Sequence, residues 1–224
     1  MSAKPNFILI GPPGSGKSTL ANFFVAKLGL RHIDIGSELR RAASENTPFA
    51  EEINNTIHHK QELVSDMVVY GVLAQVLMQI PDDQGIVLDG APRPVTQVDE
   101  VLHILKVAGR QVSKVIFINL SETESIRRIS SRFKCETCDA NLVLGRDVVA
   151  PENGCPHCRG KVSQRADDTM EGVKKRYEIF QQVILPTVEY FRKAKLLVEV
   201  DGSQTAEEVF QSVMQALENS TKEA

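Results

Sequence analysis

Gly11-Pro-Pro-Gly-Ser-Gly-Lys-Ser18 determines how the rest of the chain is interpreted. It fits the pattern G-x-x-x-x-G-K-[S/T], in which backbone N–H groups and a lysine surround phosphate oxygens. The apolar run at residues 7–10 predicts a buried strand before it, and residues 18–28 carry apolar side chains at helical spacing. Because the motif lies between a strand and a helix N-terminus, we predict a binding site for nucleotide phosphates. The alternative is a glycine-rich turn without a ligand.

Strand and helix patterns alternate along the rest of the chain. Apolar runs predict strands at residues 31–35, 85–89, 114–119 and 196–200. Helical spacing predicts helices at residues 48–59, 65–80 with Ser65 as cap, 94–107, 169–193 and 204–217, and Ser121-Glu-Thr-Glu124 predicts a capping box that opens another. Gly29 is expected to end the first helix. The alternation predicts an α/β fold, with a parallel five-stranded sheet, helices on both faces and ligands at the carboxyl ends of the strands.

The composition argues against several classes of protein. The 224 residues carry a net charge of −3, so no basic field indicates nucleic-acid binding. No apolar run approaches the ~20 residues of a membrane-spanning helix, and residues 1–6 lack the apolar segment of a signal peptide. We therefore expect a cytoplasmic protein whose four cysteines are thiols or metal ligands rather than disulfides. No long apolar stripe predicts a partner surface, so a monomer is expected.

The cysteines form two pairs, Cys135/Cys138 and Cys155/Cys158, each with C-x-x-C spacing. Two such pairs in a short segment predict a structural zinc site, because four thiolates suit tetrahedral Zn²⁺ and leave no open position for chemistry. The alternative is four reduced cysteines without a metal. His157 lies inside the second pair and could replace a cysteine as ligand, although a bystander role is favoured.

Asp89 ends the apolar run at residues 85–89. An acid at the carboxyl end of a strand opposite a phosphate-binding loop predicts a group that supports Mg²⁺, with the Ser18 hydroxyl facing the same ion. Lys17 is predicted to reach the β- and γ-phosphates. The alternative for Asp89 is a turn residue before Gly90.

Six arginines lie at or near the borders of two inserts, residues 36–64 and 131–168. Phosphoryl transfer requires alignment and charge neutralisation more than covalent help, and the arginine fork suits both. Each arginine taken alone could be a solvated surface residue. As a set they predict a clamp on phosphates: Arg40, Arg93, Arg128, Arg132, Arg165 and Arg176.

Together with the loop and the cysteine pairs, Asp89-Gly-Ala-Pro-Arg93 and Arg165-Ala-Asp-Asp168 make the chain similar to the adenylate kinase family. It resembles the zinc-containing, long-lid bacterial form from about residue 7 to residue 217. The resemblance implies a core (residues 1–35, 65–130 and 169–224), a helical part that binds the nucleoside monophosphate (36–64) and a zinc-binding lid (131–168). It also implies reversible transfer of a phosphoryl group from Mg·ATP to AMP, giving two ADP.

The resemblance assigns roles to individual residues. Catalytic roles are implied for Lys17, Asp89, Arg93, Arg128, Arg132, Arg165 and Arg176. ATP contacts are implied for Gly14, Ser15, Gly16, Lys17, Ser18, Thr19, Arg128, Arg132, Asn141, Leu142 and Gln204. AMP contacts are implied for Ile35, Gly36, Arg40, Leu63, Val64, Gly90, Arg93, Gln97, Arg165 and Arg176. Gln97 is expected to pair with the adenine edge, and the peptide bond before Pro92 is expected to be cis.

The chain departs from the family pattern mainly around the monophosphate. The usual T-G-D is Ile35-Gly-Ser37, which predicts the loss of a hydroxyl and a carboxylate, and the usual aromatic before Pro92 is Ala91. Glu62 stands where a basic residue is common. An alternative function is therefore a kinase that prefers GMP, CMP or UMP. A second alternative is a non-catalytic zinc protein gated by nucleotide.

Overall fold

A computed structural model describes residues 4–45, 49–54, 56, 64–138, 140–145, 147–164 and 168–222. Its strands are β1 (Phe7–Ile10), β2 (Arg31–Asp34), β3 (Ile86–Asp89), β4 (Lys114–Asn119), β5 (Arg132–Cys135), β6 (Asn141–Val143), β7 (Val162–Ser163) and β8 (Leu197–Asp201). Five of them form one parallel sheet in the order β2-β3-β1-β4-β8. The predicted parallel five-stranded sheet is confirmed.

The helices are α1 (Lys17–Leu28), α2 (Ile35–Ser44), α3 (Ala50–Asn54), α4 (Asp66–Leu77), α5 (Val98–Val107), α6 (Glu122–Ser130), α7 (Met170–Ile179), α8 (Leu185–Lys193) and α9 (Ala206–Lys222). Short 3₁₀ turns occupy Val95–Gln97 and Pro151–Asn153, and a π-helical turn occupies Phe180–Ile184. Among the residues described, no helix is both long enough and apolar enough to cross a membrane.

Alternate side chains of the central strand enter two separate cores. Phe7 and Leu9 pack with Phe24 of α1 and Val213 of α9, whereas Ile8 and Ile10 belong to the cluster formed with α4, α5 and α8. This two-sided burial follows from the period of two along a strand, with apolar residues at every position. Helices therefore cover both faces, as predicted.

Several helix ends differ from their sequence predictions. Gly29 ends α1 in the left-handed conformation (φ 65°), as expected. Ser121 caps α6 by accepting from the Glu124 amide, but the Glu124 carboxylate binds Arg127 and Arg128, so only half of the predicted capping box forms. Ser65 precedes α4 without a side-chain capping bond. Of the helix predicted at residues 48–59, the structure describes α3, and the rest falls largely outside the described residues.

The chain predicted as one interrupted helix at residues 169–193 is α7, the π-helical turn and α8. The Leu185 amide reaches back to the Phe180 carbonyl, one residue further than in an α-helix. Pro186 has no N–H and its ring crowds the preceding turn, so the wider turn falls just before it.

The segment predicted as the lid, residues 131–168 (the lid segment), contains a small sheet of its own. Strands β6, β5 and β7 pair antiparallel in that order. Its core consists of Cys135, Leu142, Val148, Cys155 and Val162. The sequence did not predict these strands, because two to four residues are too few to show a period.

Candidate active site

The loop at residues 11–18 wraps around the Lys17 ammonium group. Gly14 and Gly16 have φ values of 74° and 95°, a left-handed conformation that glycine adopts without strain. Lys17 Nζ donates to the carbonyl oxygens of Gly11 at 2.9 Å and Pro12 at 3.0 Å. Burial lowers the pKa of Lys17, and the charge of Asp89 opposes that shift. The predicted phosphate-binding lysine therefore lies at the centre of the loop.

Ser18 and Asp89, the two predicted Mg²⁺-side residues, are in contact. The Ser18 hydroxyl donates to Asp89 Oδ2 at 3.3 Å. Strand register also pairs Asp34 with Asp89, so two carboxylates leave the sheet at the same level of neighbouring strands. Burial raises the pKa of Asp89, although Lys17 pulls it down. Oxygen ligands of this kind suit a hard cation such as Mg²⁺.

One cavity of about 1030 Å³ lies at the carboxyl ends of the strands, as predicted for the ligand site. Every site residue predicted to contact nucleotide that the structure describes borders this cavity. They are Gly14, Ser15, Gly16, Lys17, Ser18, Thr19, Ile35, Gly36, Arg40, Val64, Asp89, Gly90, Arg93, Gln97, Arg128, Arg132, Asn141, Leu142, Arg176 and Gln204. Leu63 and Arg165 lie outside the described residues.

At the predicted monophosphate end, Asp34 supplies the carboxylate whose loss the sequence predicts. Asp34 caps α2 by accepting from the Ser37 amide at 3.2 Å, and it accepts from the Ser37 hydroxyl at 2.7 Å. Ser37 in turn accepts from Arg40 at 2.9 Å. Ile35 borders the cavity but is only 1% exposed, because its side chain belongs to the core. An acid is therefore retained here, one residue before the usual motif.

Arg93 and Gln97 are held together at the same end of the cavity. The Arg93 amide donates to Gln97 Oε1 at 2.9 Å, and buried Thr187 donates to the Arg93 carbonyl at 2.7 Å. The Ala91–Pro92 peptide bond is cis, as expected. Thr187 was not predicted from the sequence, because its partner is 94 residues away in the chain.

Arg132 and Arg176 share one carboxylate, that of Asp168. Arg132 Nε lies 2.8 Å from Asp168 Oδ2, and Arg176 Nη2 lies 2.8 Å from Oδ1. The Asp168 side chain is completely buried, whereas both arginines are about a quarter exposed. Both arginines therefore border the cavity while they share the Asp168 carboxylate.

Arg128 connects α6 to the loop before α9. Its Nε donates to Glu124 at 2.7 Å, and its Nη2 donates to the Ser203 carbonyl at 3.2 Å. Ser203 precedes Gln204, the residue predicted near adenine. Arg128 and Gln204, predicted from separate parts of the sequence, therefore lie at the same end of the cavity.

The four cysteine sulfurs of the lid segment form a compact cluster. All four lie within 4.8 Å of one another, with Cys135–Cys158 at 3.4 Å and Cys138–Cys155 at 3.7 Å. Around a tetrahedral zinc with bonds of about 2.3 Å, neighbouring sulfurs lie about 3.8 Å apart. The backbone amides of Thr137 and Cys138 also donate to Cys135 Sγ. The amide of Cys138 is the main reason that the pKa of Cys135 falls to about 6, whereas contact with the other sulfurs raises the pKa of Cys138 and of Cys158. The cluster therefore fits a tetrahedral metal ion with thiolate ligands.

Comparison with known proteins agrees with this geometry. A family model described as adenylate kinase matches residues 9–196. An adenylate kinase of Archaeoglobus fulgidus is 34% identical over 213 residues, which cover 95% of this chain and 98% of the relative. One from Trichlorobacter lovleyi is 35% identical over 212 residues, covering 95% and 99%. The chain belongs to the adenylate kinase family.

Membership of the adenylate kinase family confirms the resemblance drawn from the loop, the arginines and the cysteine pairs. It makes the chain a kinase, an enzyme of a family that binds nucleotides and transfers phosphoryl groups between ATP and AMP. The four-cysteine cluster is consistent with the zinc-containing lid type. The roles assigned to single residues remain predictions, which the geometry above supports.

Proposed function

We propose that the protein is an ATP:AMP phosphotransferase that converts Mg·ATP and AMP reversibly into two ADP. The observation that carries the proposal is that the loop of Lys17 and the side chains of Arg40, Arg93 and Gln97 border one common cavity. A cavity of about 1030 Å³ has room for two nucleotides whose phosphates meet in the middle.

The mechanism that we propose is alignment and charge stabilisation. The loop amides and Lys17 hold the phosphates of ATP, while Arg40 and Arg93 hold the phosphate of AMP. Arg132 and Arg176 lie between the two groups, where negative charge spreads over the transferring phosphoryl oxygens. Arg165 is assigned the same role from the resemblance. Asp168 keeps Arg132 and Arg176 together, since both guanidinium groups bind its carboxylate.

Mg²⁺ would be held through Ser18 and Asp89, and it supplies neutralisation of phosphate charge. Zn²⁺ would be held by Cys135, Cys138, Cys155 and Cys158 and supplies structure alone, because four protein ligands leave no open position. The protein segments that surround the bound nucleotides would exclude water from the reacting phosphate groups.

We also propose that the lid segment (131–168) and the acceptor segment (36–64) close over the nucleotides, while residues 1–35, 65–130 and 169–224 form the core. In support, Lys134 of β5 and Ser37, Arg40 and Arg41 of α2 border a second, shared cavity of about 460 Å³. Residues of the two inserts therefore border one cavity next to the proposed site, which Arg40 and Lys134 also border. A cytoplasmic, monomeric state remains a prediction.

The experiment is to incubate the enzyme with Mg·ATP and, separately, AMP, GMP, CMP and UMP, and to measure diphosphate formation. We expect AMP to be the preferred acceptor. Preference for another monophosphate would support the altered-acceptor alternative, and no turnover with any of them would support the non-catalytic one.

A matched pair of variants tests the mechanism. Lys17→Ala should lose at least about 100-fold in kcat and keep its fold, because the lysine acts on transition-state charge. Lys106→Ala, on the exposed side of α5, should match the unmodified enzyme. A Lys17→Ala variant with unchanged kcat would contradict the proposed role.

A further inference from the structure

The carboxamide of Gln97 is held at both ends. Gln97 is 2% exposed and closes the 3₁₀ turn Val95–Gln97. Its Oε1 accepts from the Arg93 amide at 2.9 Å, and its Nε2 donates to Asp66 Oδ1 at 2.6 Å. Asp66 is the first residue of α4, 31 residues earlier in the chain. The Arg93 backbone and Asp66 of α4 therefore both hydrogen-bond the Gln97 side chain, which borders the nucleotide cavity.

The chemistry of these two partners permits only one orientation of the amide. A backbone N–H can only donate, so it must face the oxygen of Gln97, and an ionised carboxylate can only accept, so it must face the nitrogen. A flipped carboxamide would set two donors against each other at Arg93 and two acceptors against each other at Asp66. The orientation is therefore fixed by donor and acceptor types rather than by shape.

Each end of the carboxamide keeps one unused position. An amide oxygen has two lone pairs and an amide nitrogen has two hydrogens, so Gln97 can still accept one hydrogen bond and donate one. Adenine offers the matching edge, with a 6-amino donor beside the N1 acceptor. Hypoxanthine and guanine offer the reverse, with an O6 acceptor beside an N1–H donor. A carboxamide held in one orientation distinguishes these two edges, whereas a freely rotating one would not.

We infer that Asp66 is a specificity-determining residue, which fixes the Gln97 carboxamide in the orientation that accepts a 6-aminopurine monophosphate and rejects a 6-oxopurine monophosphate. The inference rests on the proposed function, since it takes Gln97 as the group that meets the acceptor base. Asp66 acts through Gln97 and is a positioning residue.

The test compares AMP with IMP, which has the same sugar and phosphate and differs only at the edge that Gln97 meets. Asp66→Asn replaces an obligate acceptor with a group of the same shape that can either donate or accept. We expect the ratio of kcat/KM for AMP to kcat/KM for IMP to fall about five- to tenfold, because a charged hydrogen bond is exchanged for a neutral, reversible one. Asp83→Asn, on the exposed loop before β3, serves as the control and should leave the ratio unchanged.

A second measurement separates positioning from a general structural effect. If Asp66 acts through Gln97, then Asp66→Asn should leave the AMP-to-IMP ratio unaltered in a Gln97→Leu background. Equal losses for AMP and IMP in Asp66→Asn alone, or a ratio within twofold of the unmodified enzyme, would overturn the inference. Failure of the unmodified enzyme to use AMP would instead overturn the proposed function, so the two outcomes are distinct.

Discussion

The Ser37 hydroxyl donates a hydrogen bond of 2.7 Å to the Asp34 carboxylate at the start of α2. The same hydroxyl accepts from Arg40 at 2.9 Å, so Ser37 connects a half-buried acid to an arginine of the cavity. Burial alone would raise the pKa of Asp34, but the hydroxyl and amide of Ser37 and the charge of Arg40 outweigh it and lower the pKa. An ionised Asp34 therefore orients Ser37, and Ser37 orients the Arg40 guanidinium.

Ser37→Ala should weaken the binding of AMP. Removal of the hydroxyl deletes the link between Asp34 and Arg40, each hydrogen bond being worth about 1 kcal/mol. We expect KM for AMP to rise about fivefold, with KM for ATP within twofold. Steady-state kinetics with each substrate varied in turn provide the measurement. Ser37→Thr keeps the hydroxyl and should restore KM, and an equal rise of both KM values would contradict the assignment.

Cys138→Ser should remove most of the metal and loosen the lid segment. The freshly purified, reduced protein is expected to carry about one zinc per chain, because four thiolates fit a tetrahedral ion. Elemental analysis measures the metal, and limited proteolysis should show new cleavage within residues 131–168 while the parallel sheet persists. His157→Ala serves as the control and should keep its zinc. A metal-free unmodified protein would refute the zinc site.

Glu124→Gln should destabilise the protein at neutral pH more than at acidic pH. Hydrogen bonds from Arg127, followed by those from Arg128, hold the pKa of Glu124 at about 2, below its ordinary 4.5. Since the folded-state pKa is the lower one, the stabilisation is present above about pH 4.5 and is lost as the pH falls toward 2. Unfolding by denaturant at pH 7 and pH 3 should show a smaller gap between variant and unmodified protein at pH 3.

Glu122→Gln is the control for that experiment, because it removes a charge from the same first turn of α6, where Glu122 is exposed. Glu122→Gln should change the free energy of unfolding only slightly at pH 7 and at pH 3. If the Glu124→Gln gap were as large at pH 3 as at pH 7, the ion pairs would not be the source of the stabilisation.

Arg110→Met should destabilise the fold without affecting catalysis. Arg110 is 3% exposed and donates to the carbonyl oxygens of Ile80, Pro81 and Gln84, which lie between α4 and β3. Methionine fills similar space but donates no hydrogen bond to the Ile80 and Gln84 carbonyls, while the Pro81 carbonyl keeps the Gln84 amide as a donor. We therefore expect a loss of about 2–4 kcal/mol in the free energy of unfolding. Denaturant titration measures it, kcat should stay within twofold, and Lys106→Met provides an exposed control. Unchanged stability would mean that water replaces the guanidinium.

Much of the fold could be predicted from local pattern. The loop at residues 11–18 and the fully apolar strands set the sheet, because a strand covered on both faces has no polar position. Helix ends were less predictable, as Glu124 shows, because a side chain that could complete a cap also met two arginines. The strands of the lid segment were missed because its core relies on Cys135 and Cys155 rather than on a run of apolar residues.

The residues of the candidate site also fall into a group that the sequence predicts and a group that it does not. Residues within motifs, such as Lys17 and Arg93, were predicted because each motif carries its own chemistry. Residues that orient them, such as Asp66 and Thr187, were missed because the contacts exist only after distant segments meet. Asp34 was overlooked for a narrower reason, since its carboxylate lies three positions before the expected one and still reaches Ser37.

The lid segment has its own sheet, its own apolar cluster and its own four sulfurs, and its Asp168 binds Arg176 of α7. The apolar cluster and the four cysteines that stabilise the lid segment are therefore distinct from the phosphate-binding loop at residues 11–18. We expect that a hydrogen-bonded polar cluster in place of the thiolates would change the stability of the lid segment, while Lys17 and Arg93, which lie outside that segment, keep their contacts.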